Sequence, residues 1–148
     1  MAQESLIVQT SFLGDTVLTT PLIAELARRG PVDVVVTPAS APLLANNPDI
    51  RELIVYDKRG RDAGALGLLR LARRIGSRPH TGPRAAYLAQ GSLRSAALAA
   101  IAGYRERIGF STSAGRLLYT TRVLRRDDRH HAERLWRCLL YTSPSPRD

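Results

Sequence analysis

The sequence predicts an α/β domain, a Rossmann-like doubly wound parallel sheet, on three observations. Short apolar runs rich in β-branched residues recur along the chain. Helical stretches alternate with them. Clusters of Gly, Pro and charged residues separate the two. The 148 residues are enough for one domain with a sizeable core and too few for two ordinary ones.

Leu6-Ile7-Val8-Gln9-Thr10 is a short apolar run ending in small polar residues, as a buried strand does. Asp15 can cap a following helix that runs to about Arg29, with Leu18, Leu22, Ile23 and Leu26 on one face. Pro21 inside that stretch predicts a kink or an early break, and Gly30-Pro31 a stop. Val32 to Val36 is the second strand. A short helix follows around Leu43 and Leu44, and Leu53 to Tyr56 is the third strand. Asp57 to Asp62 is a charged loop. The next helix runs from Gly64 to about Arg74, with Leu66, Leu69, Leu71 and Ile75 as its apolar positions. After a loop from Pro79 to Pro83, the sequence predicts a fourth strand over Ala85 to Ala89. A small-residue helix capped by Ser92 then reaches Ala102, and Arg107 to Phe110 is a fifth short strand.

Composition narrows the classes. The chain is 44% hydrophobic, as globular proteins are, and no apolar run approaches the roughly 20 residues of a membrane span. The N-terminus lacks a signal-peptide pattern, so a cytoplasmic location is expected. A lone Cys138 excludes an internal disulfide and a Cys-based zinc site. His130 and His131 are adjacent, without the spacing that brings two ligands to one helix face, so no metal site is expected. Twenty-two Lys and Arg against thirteen Asp and Glu give a net charge of +9, and nearly all the cations are Arg. Nucleic acid, an acidic membrane surface and an anionic substrate all suit that charge. Aromatic content of 5% and the lack of an RNP motif or zinc finger argue against nucleic acid.

In open α/β sheets ligands bind beyond the carboxyl ends of the strands. The loop Thr10-Ser11-Phe12-Leu13-Gly14-Asp15 has that position after the first strand. It offers two hydroxyls, a flexible glycine, a carboxylate and a helix N-terminus suited to an anion. Neither GxGxxG nor GxxxxGK[ST] is present. Position alone leaves Asp15 open between a helix cap and a chemical group.

The stretch Gln9-Thr10-Ser11-Phe12-Leu13-Gly14-Asp15-Thr16-Val17-Leu18-Thr19-Thr20-Pro21 resembles the opening motif of the ADP-heptose–lipopolysaccharide heptosyltransferases. These belong to glycosyltransferase family 9 and have the two-domain GT-B architecture. Three further regions resemble the family in the same order: Val55 to Gly60, Tyr87 to Ser95, and Arg107-Ile108-Gly109-Phe110 with Ser113 to Arg116 and His130 to Arg134. The likeness is closest to the heptosyltransferase II type and spans residues 5 to 137.

This resemblance implies the N-terminal, acceptor-binding domain of a GT-B enzyme. The acceptor would be the inner core on lipid A, and ADP-heptose would be bound mainly by a second domain. Transfer would invert the anomeric centre without metal or cofactor. Asp15 matches the family's proposed general base, and Thr10, Ser11 and Gly14 would line the cleft. Lys58, Arg59, Arg61, Gln90 and Arg94 are the acceptor-binding candidates, with solvated surface charge as the alternative for the cations. An anionic inner-membrane surface is an expected partner, with the enzyme peripheral at its cytoplasmic face. Between Gly76 and Arg84 two prolines replace the family's helical continuation, and no site residue is assigned there. Residues 138–148 resemble the translation of a common transposon-type sequencing adapter. They are expected to be non-native, with the natural chain continuing past Arg137.

Overall fold

A computed structural model of the protein describes residues 3–10, 19–57, 59–78, 82–88, 93–110 and 121–123. In chain order the elements are β1 (Glu4–Gln9), α1 (Thr20–Ala27), β2 (Val32–Val36), α2 (Ala41–Leu44) and β3 (Glu52–Val55). Then follow α3 (Gly64–Gly76), β4 (Arg84–Leu88), α4 (Leu93–Ile101), β5 (Glu106–Phe110) and β6 (Thr121–Val123). The six strands form one sheet in the order β3-β2-β1-β4-β5-β6, and every pairing is parallel. The chain's direction of winding therefore switches between β1 and β4, where doubly wound sheets open a crevice at their carboxyl ends.

Strand residues alternate between two cores, as the pleat requires. Ile7, Val34, Val36, Ala85, Tyr87 and Ile108 face one layer, where Leu22, Ile23 and Leu26 of α1 and Leu44 of α2 cover them. Leu6, Val8, Val35, Ile54, Ala86 and Leu88 face the other. Leu71, Ala72 and Ile75 of α3 cover that face together with Ala96, Leu98 and Ala99 of α4. Burial on both faces explains why β2 reads as an unbroken apolar run around one acid.

Several expectations shift. Described α1 starts at Thr20, and Pro21 sits in its first turn, where the missing N–H is no loss; there is no interior kink. Leu18 and the proposed caps Asp15 and Ser92 lie outside the described residues. Leu66 was expected in the core, yet it is 76% exposed; Gly67, Leu71, Ala72 and Ile75 form the buried stripe of α3. Gly67 takes the inner position because a Cβ there would run into the Asp62 carbonyl. β3, β4 and β5 each begin one residue earlier than expected, β1 begins two earlier, and β6 was not anticipated.

Candidate functional site

At the carboxyl edge of the sheet, β1 ends on Gln9, and the described chain resumes at Thr19. The Gln9 Nε2 donates to Thr19 Oγ1 at 3.1 Å, and both residues are fully buried. This bond ties together the two ends of segment 10–18. Thr19 is also the N-cap of α1, but its hydroxyl makes no capping bond there. Thr10 lies at this edge and is buried. Ser11, Gly14 and Asp15 fall outside the described residues. The Gln9–Thr19 clasp was missed from sequence. Its signal was a polar residue closing an otherwise apolar strand.

The loop after β3 is built by its own hydrogen bonds. Asp57 N–H donates to Asp62 Oδ2 at 2.9 Å, while the Gly60 and Asp62 N–H groups donate to the Asp57 carbonyl at 3.1 and 2.9 Å. Both carboxylates are partly buried within the turn, and Arg59 and Arg61 point outward. Arg61 is only loosely paired, 3.9 Å from Asp62. Lys58 lies outside the described residues, as does Gln90.

Tyr56 leads into this loop and is 2% exposed. Its N–H donates to the Val36 carbonyl. Arg94, exposed in the first turn of α4, hydrogen-bonds the Tyr56 hydroxyl. Burial pushes the Tyr56 hydroxyl pKa up, and the Arg94 charge partly opposes that. The fold thus brings Arg94, at the start of α4, to the residue that follows β3. Nothing in the sequence linked Tyr56 to Arg94.

At the opposite, amino-terminal edge the charge is internally balanced. Asp33 accepts from Arg51 Nε and Nη2 at 3.0 and 2.7 Å and from Arg78 Nη1 at 3.3 Å. Arg51 also pairs with Glu4 at 2.8 Å, and Arg78 with Glu52. The Asp33 bond holds the Arg51 guanidinium pKa above its ordinary value. Arg84 stacks 4.2 Å from the centre of the Tyr104 ring, and burial pushes that hydroxyl's pKa up. A pocket of about 410 Å³ lined by Pro83, Arg84, Gly103, Arg105 and Glu106 lies on this edge, away from the crevice. Four of the arginines counted in the net charge, Arg51, Arg78, Arg84 and Arg107, are therefore engaged within the fold. Among the described residues no group of three or more His, Cys, Asp or Glu could hold a metal ion.

No family model matches the sequence, and no curated protein matches it either. Solved structures do. A glycosyl transferase family 9 protein from Veillonella parvula is 26% identical, with a TM-score of 0.81 over 98% of this chain and 43% of its own. The chain has the fold of glycosyl transferase family 9. Other solved structures with that fold are the E. coli heptosyltransferase WaaC with ADP and the E. coli ADP-heptose lps heptosyltransferase II. The first is 22% identical, with a TM-score of 0.76 over 96% of this chain and 48% of its own. The second is 24% identical, with a TM-score of 0.64 over 82% and 35%. WaaC has also been solved with ADP-2-deoxy-2-fluoro heptose. The chain spans less than half the length of each of these three structures.

Proposed function

We propose that the chain is the acceptor-binding, N-terminal part of an inverting, metal-independent glycosyltransferase. It would move heptose from ADP-heptose to the inner core of lipopolysaccharide. The observation that carries this reading is the likeness to the Veillonella family 9 protein over 98% of the chain. The Gln9–Pro21 motif, which leaves β1 at the carboxyl edge of the sheet, supports it. That two solved heptosyltransferases share the fold supports heptose as the sugar, and the WaaC complexes support a nucleotide-sugar donor.

Asp15 is the proposed general base. It would accept the proton of the acceptor hydroxyl as that oxygen attacks the anomeric carbon and ADP departs. A carboxylate is a weak base at neutral pH, so proton transfer would come late, once the new bond has largely formed. Thr10, Ser11 and Gly14 are proposed to border this reaction. Lys58, Arg59, Arg61, Gln90 and Arg94 would hold the acceptor's phosphates and acidic sugars. Arg suits that task because its planar fork makes paired bonds to phosphate and carboxylate. No cofactor is needed beyond the donor substrate. The acceptor, carried on lipid A, would place the enzyme at the cytoplasmic face of the inner membrane.

The test begins with the genomic sequence past Arg137. Expressed with it, the protein should transfer heptose from ADP-heptose to a heptose-deficient inner core, and the 148-residue chain should not. A longer protein without a second α/β half, or one inert toward this pair of substrates, would remove the reading.

A further inference from the structure

α3 carries a basic, partly apolar outer face. Leu66, Arg70, Arg73 and Arg74 are all exposed, and Leu66 is 76% exposed. The turn of an α-helix places Leu66, Arg70 and Arg73 along one line, with Arg74 beside it. The neighbouring α4, which packs with α3 over the same face of the sheet, adds Leu93, 57% exposed, and Arg94. Neither helix contains an Asp or Glu. The nearby acid Asp62 is turned inward onto the Asp57 N–H. At the amino-terminal edge, by contrast, Arg51 and Arg78 are matched by Asp33, Glu4 and Glu52.

We infer that the outer face of α3, with the adjoining end of α4, docks on an anionic lipid bilayer. Charge complementarity selects an anionic partner. The exposed leucines select lipid among anions: a headgroup layer can take up Leu66 and Leu93 at its acyl boundary while the guanidiniums stay at headgroup level. The face also adjoins the proposed acceptor loop, since Arg70 Nη2 lies 3.5 Å from the Arg61 carbonyl. Docking there would bring that loop to the surface carrying the acceptor. The inference rests on the proposed membrane-borne acceptor for its biological sense, but its test does not use transfer activity.

The experiment is co-sedimentation of the chain with phosphatidylcholine vesicles, with and without phosphatidylglycerol. Binding is expected only with the anionic lipid and should fall as salt rises. Replacing Arg70, Arg73 and Arg74 together by Gln should weaken it about a hundredfold. Leu66→Ser leaves the charge unchanged and should weaken vesicle binding severalfold while leaving heparin binding intact. Arg28→Gln, an exposed cation on α1 in the other layer, should leave vesicle binding unchanged. All these side chains are exposed, and matching thermal unfolding of each variant confirms that the fold is kept. Wild-type vesicle binding by the triple variant would overturn the inference. So would equal loss of heparin and vesicle binding in Leu66→Ser, or equal loss of vesicle binding in Arg28→Gln. Failed binding of the chain to anionic vesicles would sink this inference alone; failed transfer by the protein extended past Arg137, with vesicle binding retained by the chain, would sink the catalytic reading alone.

Discussion

The side-chain amide of Gln9, the last residue of β1, donates to the hydroxyl of Thr19, which opens α1, and water reaches neither residue. Two positions ten apart in sequence thus close the base of the segment that holds Asp15. Leaving one buried partner unmatched costs about 1–3 kcal/mol. Gln9→Leu and Thr19→Val should each lower stability in that range. The double variant should lose less than the sum of the two, as a double-mutant cycle in urea denaturation would reveal. Strict additivity would mean that the bond does not couple them.

A second prediction concerns the loop after β3. Gly67→Ala places a methyl against the Asp62 carbonyl, and such overpacking costs about 1–3 kcal/mol. Because Asp62 fixes the turn that displays Arg59 and Arg61, the variant should also raise the acceptor KM in the extended enzyme. An unchanged KM would separate the loop from acceptor binding.

Asp33 tests the opposite edge. Its buried carboxylate receives two arginines, and hydrogen bonds to charged groups contribute roughly 1.5–3 kcal/mol each. Asp33→Asn should therefore lower the urea midpoint clearly while leaving vesicle binding unaffected. A neutral effect on stability would make the cluster ornamental.

Alkaline pH provides the fourth test. Burial raises the folded-state pKa of Tyr56 and of Tyr104 above the ordinary value of 10.0. The folded state then holds protons that the unfolded state releases. Stability from these groups is complete below pH about 10 and is lost as pH rises through the folded pKa values. Unfolding free energy measured from pH 8 upward should fall beyond about pH 10, and Tyr104→Phe should flatten that fall. An equally steep fall in Tyr104→Phe would assign it to other groups.

Much of this fold was legible in the sequence because its signals are local. Val32 to Val36 reads as a buried strand from its β-branched run alone, and Leu22, Ile23 and Leu26 fall on one helical face. What stayed hidden depends on residues that only the sheet order brings together. Leu66 follows the helical spacing of a core residue, but Gly67 takes the inner position against the Asp62 carbonyl and Leu66 is exposed. Glu4, Asp33 and Arg51 meet because β1, β2 and β3 lie side by side, and Arg78 joins them from just past the end of α3. As plain charges Arg51 and Arg78 were indistinguishable from ligand-binding arginines. Arg94 was legible as a candidate, but its bond to Tyr56 needed β3 and α4 placed together. Asp15, the proposed base, was read from its motif alone.

The most direct measurement is therefore heptose transfer by the extended enzyme carrying Asp15→Asn. The expected result is turnover reduced by several orders of magnitude with ADP-heptose binding nearly unchanged, because the amide keeps the shape of the carboxylate and cannot accept the proton. Turnover close to the unsubstituted enzyme would contradict it.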